Sequence, residues 1–123
     1  MSLEAGGAFT CNDEELTQDT QHLWVIISDT AAYPDSVVVV NVSSSINATY
    51  DSACDLRQGD HAFITHRSFV YYRRAQLLTA EQLKSANISY KTSVTPNVLG
   101  RIREGAGKTN RISHQIMKVL IEL

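Results

Sequence analysis

The distribution of apolar residues along the chain predicts a group of short strands followed by helices. Residues 22–28 (HLWVIIS) and 36–43 (SVVVVNVS) are rich in β-branched and aromatic side chains, a composition typical of buried strands. The second segment is apolar at nearly every position, which predicts a central strand with both faces covered. The turn signal Tyr33-Pro34-Asp35 lies between the two segments, so we expect them to pair antiparallel.

Shorter apolar segments predict the remaining strands. They lie at residues 54–56, 62–64, 68–72 and 88–92. The first of these is short enough to be an edge strand. In the 68–72 segment, alternation places Phe69 and Tyr71 on one side of the sheet and Val70 and Tyr72 on the other.

Helix signals occur only after the strand-rich part of the chain. Thr79 and Gln82 have the spacing of a capping box, which predicts a short helix ending near Asn87. Residues 110–123 carry apolar side chains at helical spacing. They predict an amphipathic helix that closes the fold.

A third helix is expected between these two. Thr95 followed by Pro96 is typical of a helix start, so residues 97–104 are predicted to be helical, with the glycines of residues 105–107 ending the helix. Strands first and helices later favour an α+β fold that is mainly β, with a small curled sheet and helices at one end.

The length of 123 residues fits one domain, which we assign to residues 22–123. Residues 1–21 are polar and acidic, and we expect an N-terminal arm that is partly disordered. Asn12 and Glu15 have capping-box-like spacing, so a short helical turn is the alternative within this arm.

Charge is distributed unevenly although the net charge is only −2. Residues 1–56 contain nine acidic side chains and no Lys or Arg, whereas residues 57–123 contain four acidic side chains and all eleven Lys and Arg. The asymmetry predicts a basic face, unless the two regions neutralise each other in the fold. No apolar run approaches the ~20 residues of a membrane span, and the acidic start lacks the basic residues of a signal peptide. We therefore expect a cytoplasmic protein with two reduced cysteines and no membrane partner.

Metal and cysteine chemistry are weakly supported. Cys54, Asp60, His61 and His66 lie close together in the sequence, but without the spacing of a known zinc motif. A polar turn with solvated histidines is the alternative, and a buried apolar role is the alternative to a Cys54 nucleophile. Residues 107–109 (GKT) resemble a phosphate loop, but Ile102 stands where its first glycine is required. We expect no metal and no cofactor.

RNA cleavage without metal fits the residue types better. It needs a base for the ribose 2′-hydroxyl, an acid for the leaving oxygen and a cation for the phosphate, and His and Arg supply these near neutral pH. Tyr71 and Tyr72 are candidates for stacking on bases. The alternative is that Tyr71 is core, that Arg73 and Arg74 form a solvated strand end, and that the histidines cap turns. The candidates for acid–base function and charge are His22, His61, His66, Arg67, Arg73 and Arg74.

The chain contains, in order, the segments WVIIS (24–28), VVVVNVSS (37–44), DLRQGDHAFITHRSFV (55–70) and LGRI…IMKVLIEL (99–123). This order of segments resembles that of the PemK/MazF growth-inhibitor toxins. The resemblance covers residues 22–123 and implies a small SH3-like β-barrel with C-terminal helices that acts as an endoribonuclease on single-stranded RNA. It also implies a homodimer and an antitoxin partner, whose acidic segment would suit the basic second half of the chain.

The resemblance also indicates where the site should lie. The family has an Arg-Pro before its first matching strand, where this chain has Gln21 and His22, and it has a Thr after the second strand, where this chain has Ser44. Convergence of His22, His61 and His66 would favour the enzyme. Separate histidines would favour a non-catalytic barrel that binds protein or nucleic acid. The expected catalytic residues are His22, Ser44, His61, His66 and Arg67, and the expected RNA contacts are Arg57, Tyr72, Arg73 and Arg74.

Overall fold

The computed structural model describes residues 3–12, 22–44 and 50–121. Within these ranges the chain forms six strands and three helices. The strands are β1 (Ala8–Cys11), β2 (Leu23–Ile26), β3 (Ser36–Ser43), β4 (Asp55–Leu56), β5 (Ser68–Thr79) and β6 (Ile88–Lys91). The helices are α1 (Ala80–Ser85), α2 (Pro96–Lys108) and α3 (His114–Ile121).

All six strands belong to one antiparallel sheet with the order β4-β5-β3-β2-β1-β6. The sheet curls into a half-barrel, and the α+β, mainly β fold class is confirmed. The expected pairing of β2 with β3 is confirmed too, with Leu23 opposite Val42 and Ile26 opposite Val39. The two strands stand at the centre of the sheet because both of their faces are apolar.

The sheet is covered on both faces, so the core has two parts. Alternate side chains of β2 and β3 point to opposite faces, as the strand period of two requires. Leu23 and Val25 pack with Ile102 of α2 and Ile116 of α3. On the other face lies a second cluster, which includes Trp24, Ile26, Val37, Val39 and Leu83 of α1.

β5 runs from Ser68 to Thr79, whereas the sequence predicts a strand at residues 68–72 only. A β-bulge lets the strand bend and continue. Val39 pairs with Gln76, whereas Asn41 pairs with Tyr71, so two steps along β3 correspond to five along β5. Such bulges increase local twist and curl a sheet. Arg73 lies in the bulged part and is exposed.

Two strand predictions need correction. Part of the expected N-terminal arm is β1, which lies between β2 and β6, while residues 13–21, and with them the possible turn at Glu15, lie outside the described residues. No strand forms at residues 62–64. That segment turns instead, because the Ile64 amide donates to the His61 carbonyl at 2.9 Å and the Phe63 amide donates to His61 Nδ1 at 3.0 Å.

The starts of α1 and α2 are as predicted, but the end of α2 is not, and α3 begins at His114 instead of at residue 110. Thr79 and Gln82 form the capping box, and Thr95 caps α2 with Pro96 in its first turn. α2 continues through residues 105–107 to Lys108. Gly105 serves packing rather than termination, since a Cβ there would lie 2.3 Å from Tyr72 Oη and 2.8 Å from a backbone oxygen.

Candidate functional site

A pocket of about 250 Å³ opens at the end of the sheet where β2 and β5 begin and β3 ends. We call it the histidine pocket. Its polar lining consists of His22, Ser44, Thr65, His66 and Ser68. Its apolar lining consists of Leu23, Val42, Phe63 and Ile64.

The antiparallel pairing of β2 and β3 brings distant residues together in this pocket. His22 immediately precedes β2 and Ser44 immediately follows β3. Because Leu23 lies opposite Val42, the start of one strand and the end of the other meet at the same edge. Thus the two residues that the sequence resemblance placed at the expected site line one pocket.

His66 reaches the pocket from the loop between β4 and β5. Its Nδ1 lies 3.1 Å from Thr65 Oγ1, and the Ser68 hydroxyl donates to its carbonyl oxygen at 3.0 Å. These contacts hold both the ring and the backbone of His66. Since the Thr65 contact uses Nδ1, Nε2 is the ring nitrogen best placed to meet a ligand.

An exposed aromatic ring stands at the rim of the histidine pocket. Phe63 is 42% exposed, and Lys91 Nζ lies 6.0 Å from the centroid of its ring. Neither residue was predicted to belong to the site, because the sequence indicated only a short strand at residues 62–64. Its neighbours along the chain, Ala62 and Ile64, are apolar, so no local signal distinguishes an exposed ring there from a strand residue.

His61 does not line this pocket with His22 and His66. It is 8% exposed, its Nε2 donates to the Thr92 carbonyl, and its Nδ1 accepts from the Phe63 amide. A carbonyl only accepts and an amide only donates, so these bonds require the neutral ring with its proton on Nε2. Its geometry fits a structural role, and two of the three expected histidines share the pocket.

The Arg67 side chain points away from the histidine pocket and lies beside Asp55 and Tyr50. Its Nη2 lies 3.4 Å from Asp55 Oδ2 and 3.3 Å from the Tyr50 hydroxyl. Hydrogen bonding to Tyr50 is the first cause of a raised Arg67 pKa, followed by the charge of Asp55. Arg67 lines a second pocket of about 260 Å³, which we call the arginine pocket and which consists of Asp55, Leu56, Arg57, Arg67 and Arg101.

Among the other expected RNA contacts, the prediction for Tyr72 is wrong. Its side chain is fully buried and its hydroxyl donates to the Ile102 carbonyl of α2 at 2.6 Å. Burial also raises its pKa. A tyrosine enclosed between sheet and helix offers no face for a base. Arg73 and Arg74 are exposed but line neither pocket, and the Arg74 guanidinium lies 5.2 Å from the Tyr71 ring centroid.

Metal and thiol chemistry find no support in the described part of the chain. No group of three or more His, Cys, Asp or Glu side chains there could hold a metal ion. Cys54 is buried, and burial raises the pKa of its thiol, which disfavours the nucleophilic thiolate.

Comparison with known proteins gave no match, either to a protein-family model or to a curated protein. Among the described residues, each helix is too short or too polar to cross a membrane.

Proposed function

We propose that the protein binds single-stranded RNA in the histidine pocket and cleaves it without a metal ion. One observation carries the proposal: His22 and His66, which are remote in sequence, line the same pocket together with Ser44. Two imidazoles at one site provide a base and an acid that work near neutral pH.

The chemistry follows from these groups. One imidazole takes the proton of a ribose 2′-hydroxyl, and the oxygen attacks the adjacent phosphorus. The bond from phosphorus to the 5′ oxygen of the next nucleotide breaks, and the second imidazole gives that oxygen a proton. The products are a 2′,3′-cyclic phosphate and a 5′-hydroxyl, and the two imidazoles exchange protonation states.

The rest of the lining supports binding of a nucleotide. The Ser44 hydroxyl is a donor for a phosphate oxygen. The Thr65 hydroxyl is a second donor when its oxygen accepts the proton of His66 Nδ1, whereas the Ser68 hydroxyl already donates to the His66 carbonyl. Phe63 offers an exposed face on which a base can stack, and such stacking tolerates any base. The pocket is smaller than sites for drug-sized ligands, so one nucleotide unit enters it and the remaining RNA lies across the surface.

The sequence resemblance supports a more specific identity. We propose that the curled sheet is an SH3-like barrel of the PemK/MazF type, and that the protein is a cytoplasmic toxin of a toxin–antitoxin system. A homodimer and an acidic antitoxin belong to the same proposal.

The test is cleavage of a mixed-sequence single-stranded RNA by purified protein with EDTA present. We expect His22→Ala and His66→Ala each to lower the rate at least about 100-fold, the usual minimum for removing an acid or base. His114→Ala is the matched control, because His114 is exposed on α3 and lines neither pocket. The products should carry 2′,3′-cyclic phosphate ends.

Intact RNA at high protein concentration would contradict the nuclease proposal. Binding without cleavage would favour the second candidate, a non-catalytic RNA-binding barrel. One observation favours that candidate: among the described residues, the lining of the histidine pocket includes no Lys or Arg to stabilise a pentavalent phosphate.

A further inference from the structure

We infer that the arginine pocket binds the phosphodiester next to the one held in the histidine pocket. This inference rests on the proposed function and extends it from one nucleotide unit to a path for the RNA backbone. Three arginines, Arg57, Arg67 and Arg101, line this pocket.

The two pockets are neighbours along one short segment. His66 and Ser68 line the histidine pocket, whereas Arg67 between them lines the arginine pocket. In addition, Leu56 of the arginine pocket lies opposite Ser68 in the β4–β5 pairing. The two pockets therefore lie on either side of residues 66–68, and an RNA strand that crosses this segment would contact both.

Arg101 is held in a fixed position in the arginine pocket. Its Nη1 lies 2.9 Å from Asp60 Oδ1, and its Nη2 donates to the Asp55 carbonyl at 2.8 Å. The same Asp60 accepts the Arg57 amide at 2.9 Å. Asp60 therefore ties the backbone of Arg57 to the side chain of Arg101, which fixes the Arg101 guanidinium before a ligand arrives.

Arg67 is easily released toward a ligand. Its 3.4 Å ion pair with Asp55 is exposed, with side-chain exposures of 61% and 47%, and such pairs contribute little. The Tyr50 hydroxyl donates to the other oxygen of Asp55 at 2.6 Å, so that carboxylate keeps a strong partner when Arg67 turns away.

Charge and shape favour a phosphate group. Three guanidinium groups face two carboxylates, those of Asp55 and Asp60, so a net positive charge remains. Guanidinium forks match the oxygens of phosphate, and the pocket of about 260 Å³ has room for one such group.

The test measures binding of 2′-O-methyl RNA, which lacks the attacking hydroxyl, over a series of salt concentrations. A decanucleotide is compared with a dinucleotide that has a single phosphodiester. We expect Arg57→Gln to weaken decanucleotide binding about tenfold and to reduce its salt slope by about 0.7, the value for one phosphate contact on a single strand. Dinucleotide binding should not change, because one phosphodiester fills only the histidine pocket.

Lys84→Gln is the matched control. Lys84 is an exposed cation on α1, which follows the far end of β5, and its loss should leave both affinities unchanged. Equal decanucleotide affinity and slope for wild type and Arg57→Gln would overturn the inference and leave the proposed function standing. If the wild-type protein binds neither RNA, the proposed function and the inference both fail.

Discussion

The packed interior and the histidine pocket use similar side chains in opposite ways. In the interior, His61 and Tyr72 are buried and their polar atoms form hydrogen bonds with backbone groups. In the pocket, His66 is exposed and touches its own neighbour Thr65, while Phe63 presents its ring to solvent. The first arrangement fixes the fold, and the second leaves groups available to a ligand.

The difference teaches how to separate structural from functional residues in this protein. Removing a buried polar atom that is hydrogen-bonded to the backbone lowers stability, because its backbone partner is left unsatisfied. Removing an exposed group that lines a pocket changes stability little, so the substitution should affect binding or catalysis alone. Substitutions of His61, His66 and Phe63 test whether stability and activity divide in this way.

The largest effect is expected at the helix–sheet junction. In Gly105→Ala the new Cβ would lie 2.3 Å from Tyr72 Oη and 2.9 Å from Cys54 Cβ. Forcing such contacts apart should lower the free energy of unfolding by about 3 kcal/mol, measured by urea denaturation.

Gly107→Ala is the control within the same helix. Gly107 is exposed and no atom lies within 4 Å of its added Cβ, so the helix propensity of alanine should stabilise the protein by about 0.5–1 kcal/mol. Equal stability of the two variants would show that α2 does not pack on the sheet as described.

His61→Ala should destabilise the protein by about 2 kcal/mol. It removes two hydrogen bonds and leaves the Phe63 amide without its partner. His66→Ala should change stability by less than about 0.5 kcal/mol, as is usual for an exposed side chain. Both are measured by thermal and urea unfolding beside the cleavage assay. A His61→Ala protein that keeps its stability but loses cleavage would break the comparison, because His61 would then belong to the pocket chemistry.

Phe63→Ala tests whether an exposed residue of the histidine pocket contributes to RNA binding without contributing to stability. Losing one base stack should weaken RNA binding about tenfold, as measured by fluorescence anisotropy with labelled single-stranded RNA. Stability should stay within about 0.5 kcal/mol because the ring is 42% exposed. Tyr90→Ala is the control, since Tyr90 is a similarly exposed ring on β6 that lines neither pocket. Equal affinities for the two variants would remove Phe63 from the binding surface.

Local signals in the sequence predicted the fold well. The apolar run of β3 predicted a central strand, and the Thr79 and Thr95 caps predicted two helix starts, because each depends on neighbouring residues alone. The end of α2 was missed because Gly105 is required by Tyr72 across the junction, a contact that no local pattern reveals. β1 was missed because the four residues Ala8–Cys11 form a strand only through pairing with β2 and β6.

The candidate site was predictable only in part, for the same reason. His22 and Ser44 were found through the order of segments, and antiparallel pairing explains their meeting in one pocket. The roles of His61 and Tyr72 depend on Thr92 and Ile102, which are far away in sequence. Residue type indicates what a side chain can do, but burial decides whether it meets a ligand.

The smallest expected effect concerns Asp60. It tests the arginine pocket, which is distinct from both the packed interior and the histidine pocket. Desolvation alone would raise the pKa of Asp60, but the hydrogen bonds from Arg101 and the Arg57 amide outweigh it and lower the pKa. The contribution to stability is therefore present above about pH 4, the ordinary value for Asp, and is lost as the pH falls through the lower folded-state pKa.

Asp60→Asn should thus reduce stability at neutral pH by at most about 1 kcal/mol, and the difference from wild type should shrink in acid. Urea midpoints measured from pH 7 to pH 2 follow this change, with Asp35→Asn on the exposed turn before β3 as the control. A difference between Asp60→Asn and wild type that stays constant down to pH 2 would mean that the carboxylate charge does not hold Arg101. The arginine pocket would then lack the fixed cation that distinguishes it from an ordinary solvated surface.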